Sequence, residues 1–170
     1  MLRKQLAVAF GMAAAVAVLL LTWFKLPDLP LPVPEAGDMA AKAAFVLHWL
    51  LLPGLALLFG IGLVANQRFF VSDAIDGGPS KSRLIEIALR YNTNTLEQTV
   101  LAAIAWFGLA LVLPVPQLKL IPAMAISFAI GRVLFLIGYL VVPVARALGL
   151  GLTAYPTFAA LIWLAVRMFS

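Results

Sequence analysis

Leu89-Arg90-Tyr91-Asn92-Thr93-Asn94-Thr95-Leu96-Glu97 sets a cation, a carboxamide and a carboxylate into a long apolar segment. At about 100° per residue, Arg90, Asn94 and Glu97 fall within about 60° of one another and share one face of a helix. Further along, Arg132 and Tyr139 stand seven residues apart and again fall nearly in line. Ionisable groups at bilayer depth cost roughly 2.5 to 3.5 kcal/mol each on insertion scales, so two polar seams in apolar helices mark a functional-site candidate.

Composition gives the class. Of 170 residues, 64% are apolar and 11% charged, and the mean hydropathy is +1.08, against about 25% charged residues in soluble domains. The chain reads as an all-α integral membrane protein. Its net charge of +5 is small and unevenly placed, so the basic groups face lipid headgroups and nucleic acid is not an expected partner. With no cysteine present, disulfides, thiolate metal sites and a cysteine nucleophile are excluded, and any thiol chemistry needs a thiol from elsewhere. The single His48 cannot form a histidine metal cluster; beside Trp49 it reads as an interfacial residue. No metal is expected.

Five apolar runs approach the roughly 20 residues needed to cross about 30 Å of hydrocarbon: residues 6–24, 40–65, 86–113, 119–143 and 152–169. Arg3 and Lys4 precede the first, but Trp23-Phe24-Lys25 makes a poor cleavage site, so that run reads as an uncleaved anchor. The prolines of Lys25-Leu-Pro-Asp-Leu-Pro-Leu-Pro-Val-Pro-Glu35 favour an extended connector. Residues 1–38 therefore form an anchor helix and linker, and 39–170 a four-helix transmembrane domain. Gly77-Gly78-Pro79 marks a turn in the polar loop from Asn66 to Arg83. Short proline-marked connections at Pro114 to Pro122 and Pro143 to Gly151 make helices two to five an antiparallel bundle.

Arg3, Lys4, Arg68, Lys81, Arg83 and Arg146 lie on one side of such a bundle, and Lys25, Lys42, Lys119 and Arg167 on the other. The positive-inside rule then gives a multi-pass protein of an inner or plasma membrane with a cytoplasmic N-terminus. Arg90 and Arg146 sit towards that cytoplasmic end.

The polar residues admit two readings. In one, Arg90 and Glu97 satisfy each other while Asn94 bonds to a neighbouring helix, as polar glue within a bundle. In the other, Arg132, Tyr139 and Arg146, at successive spacings of seven, join Arg90, Asn94 and Glu97 in a site with excess positive charge. That site suits an anion carrying amide and amine groups, and a peptide-like thiol cofactor fits the description.

These residues resemble the MAPEG family, the membrane-associated proteins in eicosanoid and glutathione metabolism. Arg90, Asn94 and Glu97 match its Arg-x-x-x-Asn-x-x-Glu pattern. Arg132 and Tyr139 match an Arg and Tyr on its third helix, and Arg146 an Arg seven residues further on. Asp73-Ala-Ile-Asp-Gly-Gly-Pro79 is similar to a loop of the prostaglandin E synthase branch, one residue shorter. The likeness covers about residues 40–169. It implies a bacterial-type member, with a four-helix MAPEG-like bundle preceded by one additional transmembrane helix, assembled as a homotrimer with glutathione between subunits as co-substrate. Arg90, Asn94, Glu97, Arg132, Tyr139 and Asp73 would then bind glutathione, and Arg146 would be catalytic, stabilising the thiolate that attacks a small hydrophobic electrophile.

The chain departs from the family at Asn92, where some members have His, at Phe135, where some have a hydroxyl or His, and at Ala147, where the prostaglandin branch has Ser. Those changes argue against prostaglandin isomerase chemistry. A membrane-bound glutathione transferase or peroxidase is the leading expectation. The alternative within the family is a non-enzymatic lipid-binding or scaffold protein. A small transporter finds no repeated pattern between halves to support it.

Overall fold

In the computed structural model, which describes residues 2–71, 75–76, 82–141 and 143–170, the hydrophobic runs become five long helices. They are α1 Leu2–Lys25, α2 Met39–Phe69, α3 Arg83–Val112, α4 Leu120–Leu140 and α5 Pro143–Phe169. Each carries a stretch long and apolar enough to cross a membrane, so this is an integral, multi-pass, all-helical protein. Of the loop Asp73 to Pro79, only Ile75 and Asp76 lie within the described residues; Asp73 and Gly77-Gly78-Pro79 lie outside them.

Local chemistry explains the ends. Asp38 caps α2, its side chain accepting from the Ala41 amide at 2.9 Å and satisfying one of the donors a helix start leaves open. At the same end of the bundle, Lys42 donates to the carbonyl of Leu113, just past the last turn of α3, at 2.9 Å, putting a cation where the α3 carbonyls are unpaired. One sequence expectation is corrected here. Pro143 to Gly151 is not a connection: α5 begins at Pro143. A proline at the first helical position gives up an N–H that the first turn leaves unpaired anyway, and Gly149 and Gly151 serve helix contact. Arg146 is consequently a helical residue, one turn into α5.

Close approach by glycines sets the packing of α4 on α5. A Cβ on Gly131 would lie 2.7 Å from the Gly149 carbonyl, one on Gly149 would overlap the backbone of Gly131 and Phe135, and one on Gly138 would overlap the backbone of Arg146. The two helices run antiparallel, backbone on backbone, as small residues allow in membranes. Helix α1, separated from α2 by the proline connector, lies parallel to α5. Gly11 abuts the Val144 carbonyl and Ala147, and Ala15 abuts Gly151. At the connector end, Lys119 donates to the Pro27 carbonyl at 2.8 Å.

The core divides lengthwise. Towards the α3 C-terminus, Trp106, Leu109, Leu118, Ile121, Met124 and Phe128 form an apolar cluster. Towards the α3 N-terminus the interior holds Tyr91, Thr95, Arg132 and Thr153. These buried polar groups sit in the half of the bundle where the sequence places its polar seams.

Overpacking costs about 1 to 3 kcal/mol, so Gly138→Ala is expected to destabilise the bundle by that amount. Gly54 is the matched control, since a methyl group added there would meet nothing within 4 Å, and Gly54→Ala should gain up to about 1 kcal/mol. Unfolding midpoints in a mixed-detergent titration measure both.

Candidate functional site

Arg132 occupies the centre of the polar half. It stands on α4 and is 1% exposed. Its guanidinium donates through one terminal nitrogen to Asn94 Oδ1 on α3 at 2.8 Å and through the other to Thr153 Oγ1 on α5. Thr153 passes its own proton to the Leu150 carbonyl at 2.9 Å. The rings of Phe128 and Phe135 lie 5.4 and 4.6 Å from the guanidinium carbon, close enough for cation–π attraction. Arg132 Nε is buried without a hydrogen-bond partner among the described residues. One cation thus joins three helices through neutral acceptors and aromatic faces.

Asn94 bonds to a neighbouring helix, as one sequence reading had it. The rest of that reading is corrected. Arg90 pairs not with Glu97 but with Glu86, one turn back, at 2.6 Å, with both side chains 58% exposed. Four residues is the spacing at which carboxylate and guanidinium meet on a helix surface, and the pair is solvated or covered from outside. Glu97 is exposed and makes no ion pair among the described residues. Arg90 and Glu97 therefore face outward with Glu86 on α3, while Asn94 turns inward at the edge of that stripe.

Arg146 lies beyond Arg132 towards the α5 N-terminus. Its guanidinium carbon is 5.1 Å from the centroid of the Tyr139 ring, and it makes no ion pair among the described residues. Tyr139 packs edge-on against Phe135 at 5.1 Å, and Phe135 lies 6.5 Å from Tyr91, which in turn meets Phe59 of α2 at 6.2 Å. A row of aromatic rings connects α2, α3 and α4 and ends beneath Arg146. The three departures from the family pattern each have a place. Phe135 is an inner ring of that row. Asn92 turns towards Gly60 of α2, away from Asn94. Ala147 is buried against Gly11 of α1, so its position faces the added helix.

Six of the seven expected site residues are described, and they fall into two groups: Arg132 with Asn94 inside the bundle, and Arg90, Glu97, Tyr139 and Arg146 at or near its surface. Asp73 lies outside the described residues. Two participants were not anticipated. Glu86 carries a plain signal, its four-residue offset from Arg90. Thr153 continues the series of sevens from Arg132 through Tyr139 and Arg146, across the turn from α4 into α5.

The sequence model of the MAPEG family matches residues 45–167, which takes in most of α2 and α5 and all of α3 and α4. The chain is also similar to Transmembrane protein 79 of Mus musculus, at 26% identity over 163 residues, covering 96% of this chain and 41% of that protein. It therefore spans about two fifths of the length of that relative, and the match takes in most of α1 and the connector. No solved structure matches the chain.

Leaving one acceptor of a buried cation unmade costs about 1 to 3 kcal/mol. Asn94→Leu and Thr153→Val are each expected to lower stability by that amount. In an Arg132→Met background the same changes should each cost under about 0.5 kcal/mol, because the donor they served is gone. A double-mutant cycle on unfolding midpoints in detergent checks the coupling.

Proposed function

This chain belongs to the MAPEG family, and on that footing we propose that it is a membrane-bound glutathione-dependent transferase or peroxidase acting on small hydrophobic electrophiles. The observation that carries the reading is Arg146. It is a guanidinium near the helix start of α5, stacked on Tyr139 and without a carboxylate partner among the described residues. A free thiol has a pKa near about 8.5, so only a few per cent is thiolate at neutral pH. A neighbouring guanidinium favours the anion and so raises the nucleophile's concentration without any cysteine of the chain's own.

The outward stripe on α3 supplies the anchoring chemistry. Glutathione carries an amino group, two carboxylates and two amides. Glu97 is a suitable partner for the amine, and Arg90 for a carboxylate, with Glu86 holding the Arg90 fork in place. An exposed carboxylate midway along a membrane helix is costly in lipid, which supports a homotrimer in which a neighbouring subunit and the co-substrate cover this stripe. Tyr139 would hold peptide atoms beside Arg146. Arg132 would act by fixing Asn94 and the three helices rather than by touching the co-substrate, since it is 1% exposed and donates within the bundle. In this reading the Arg90 and Arg146 end faces the cytoplasm.

A second reading, a non-enzymatic lipid-binding or scaffold protein, is favoured by one specific arrangement. Arg132 is buried and donates within the bundle through both terminal nitrogens, and Phe135, packed on Tyr139, brings no hydroxyl to the ring beneath Arg146.

The two readings separate in a titration of the purified, detergent-solubilised chain with glutathione, followed by thiolate absorbance. The enzyme reading expects saturable binding with thiolate formation. Arg146→Ala should keep binding within about threefold and remove most of the thiolate signal, whereas Glu97→Ala should weaken binding about tenfold or more. No binding to the unaltered chain would leave the scaffold reading.

A further inference from the structure

Helix α1 does more than rest on α5. With the connector it also leaves a groove of about 170 Å3 against α4 and α5. Val18 and Thr22 of α1, Leu29 of the connector, Ile126 and Ser127 of α4 and Leu152 of α5 line it. Val18, Leu29 and Ile126 are exposed, so the groove opens outward. Its two hydroxyls are already engaged. Pro156 has no N–H for the Leu152 carbonyl one turn back, and Ser127 Oγ donates there at 2.8 Å. Thr22 Oγ1 donates to the Val18 carbonyl at 2.9 Å. A hydroxyl has one proton to give, so the side chains of the walls offer a ligand no donor.

Followed outward, the walls on α1 and α4 each end in a lysine. Lys25 stands seven residues after Val18 and three after Thr22, and so continues the same face of α1. Lys119 stands four residues before Ala123, another wall residue, and donates to the Pro27 carbonyl at 2.8 Å. That bond holds its ammonium at the connector, two residues before Leu29, with two N–H groups left over. Neither lysine makes an ion pair among the described residues; Asp28, the nearest acid in sequence, is exposed. Depth agrees with this division. Helix α1 has 24 residues, about 36 Å for about 30 Å of hydrocarbon, which sets Lys25 about 3 Å outside the boundary and Val18 about 7 Å inside it when the helix is centred. The volume is below the about 300 Å3 at which drug-sized sites begin, and it cannot take a helix about 10 Å across. The geometry points to an anionic phospholipid as the occupant, with the first part of one acyl chain in the groove and the phosphate between Lys25 and Lys119.

The test uses the full chain in maltoside detergent, with bound lipid read by native mass spectrometry. Dioleoylphosphatidylglycerol should be retained about fivefold or more better than dioleoylphosphatidylcholine, which has the same chains and phosphate but no net charge. Lys25→Gln and Lys119→Gln should each bring the two lipids within about twofold of one another. Arg167→Gln removes a cation at the same end of the bundle but outside the groove, and should leave the preference intact. Ala123→Phe fills the groove and should lower retention of both lipids about fivefold or more. Equal retention of the two lipids, a preference that survives Lys25→Gln or is lost in Arg167→Gln, or retention unchanged in Ala123→Phe would overturn the proposal. So would displacement of the phospholipid by an equal concentration of oleate, which would assign the groove to a fatty acid. Should Lys119→Gln or Ala123→Phe fail to fold, Lys25→Gln and the lipid comparison still decide it.

Discussion

A guanidinium held inside a membrane bundle without a carboxylate is the constraint around which this protein is arranged. Arg132 needs acceptors at fixed distances, and the chain supplies them from two other helices, Asn94 of α3 and Thr153 of α5. Both must arrive at once, because an unmet buried charge is far more costly than an unmet neutral group. The requirement fixes the register of α3 and α5 on α4. Gly131 and Gly149 then let α4 and α5 touch main chain to main chain, which is what brings Thr153 within reach. Farther along the same contact, Gly138 sits over the backbone of Arg146, and that arginine falls onto Tyr139. The second cation is positioned by main-chain geometry that the first makes necessary.

Much of this is legible from the residues, and the exceptions share a cause. Five hydrophobic runs announce five helices because the bilayer leaves few alternatives for an apolar chain. Arg132 and Asn94 stand out because polarity is expensive in that setting. Pro143 to Gly151 misleads because glycine and proline signal turns in water, whereas in a membrane glycine is also the means of close helix contact. The pairing of Arg90 with Glu86 rather than Glu97 turns on geometry within one helix, where a four-residue offset brings the two side chains together and a seven-residue offset spans two turns. The docking of α1 on α5 leaves no hydropathy signal at all, since Gly11 and Ala15 are chosen for size.

The two ends of the bundle have different chemical character. Around Trp106 the interior is apolar, and beyond it the polar groups gather at the end of the bundle, where Glu35 of the connector is exposed and Lys42 meets the Leu113 carbonyl. At the other end charges and hydroxyls line both the interior and the outer stripe of α3. The apolar core thus separates the polar interior at the Arg146 end from the opposite end of the bundle.

The contact between Gly11 and the turn carrying Val144 and Ala147 joins residues more than 130 positions apart in the chain. Contacts of such separation are closed late, after the loop entropy between them has been met. During synthesis α1 must therefore reside in the bilayer with its small-residue face against lipid until α5 has been inserted. The pairing works as a clasp: it closes the length of chain that carries α2, α3 and α4, and it makes completion of the bundle sensitive to a segment that contributes nothing to its polar centre.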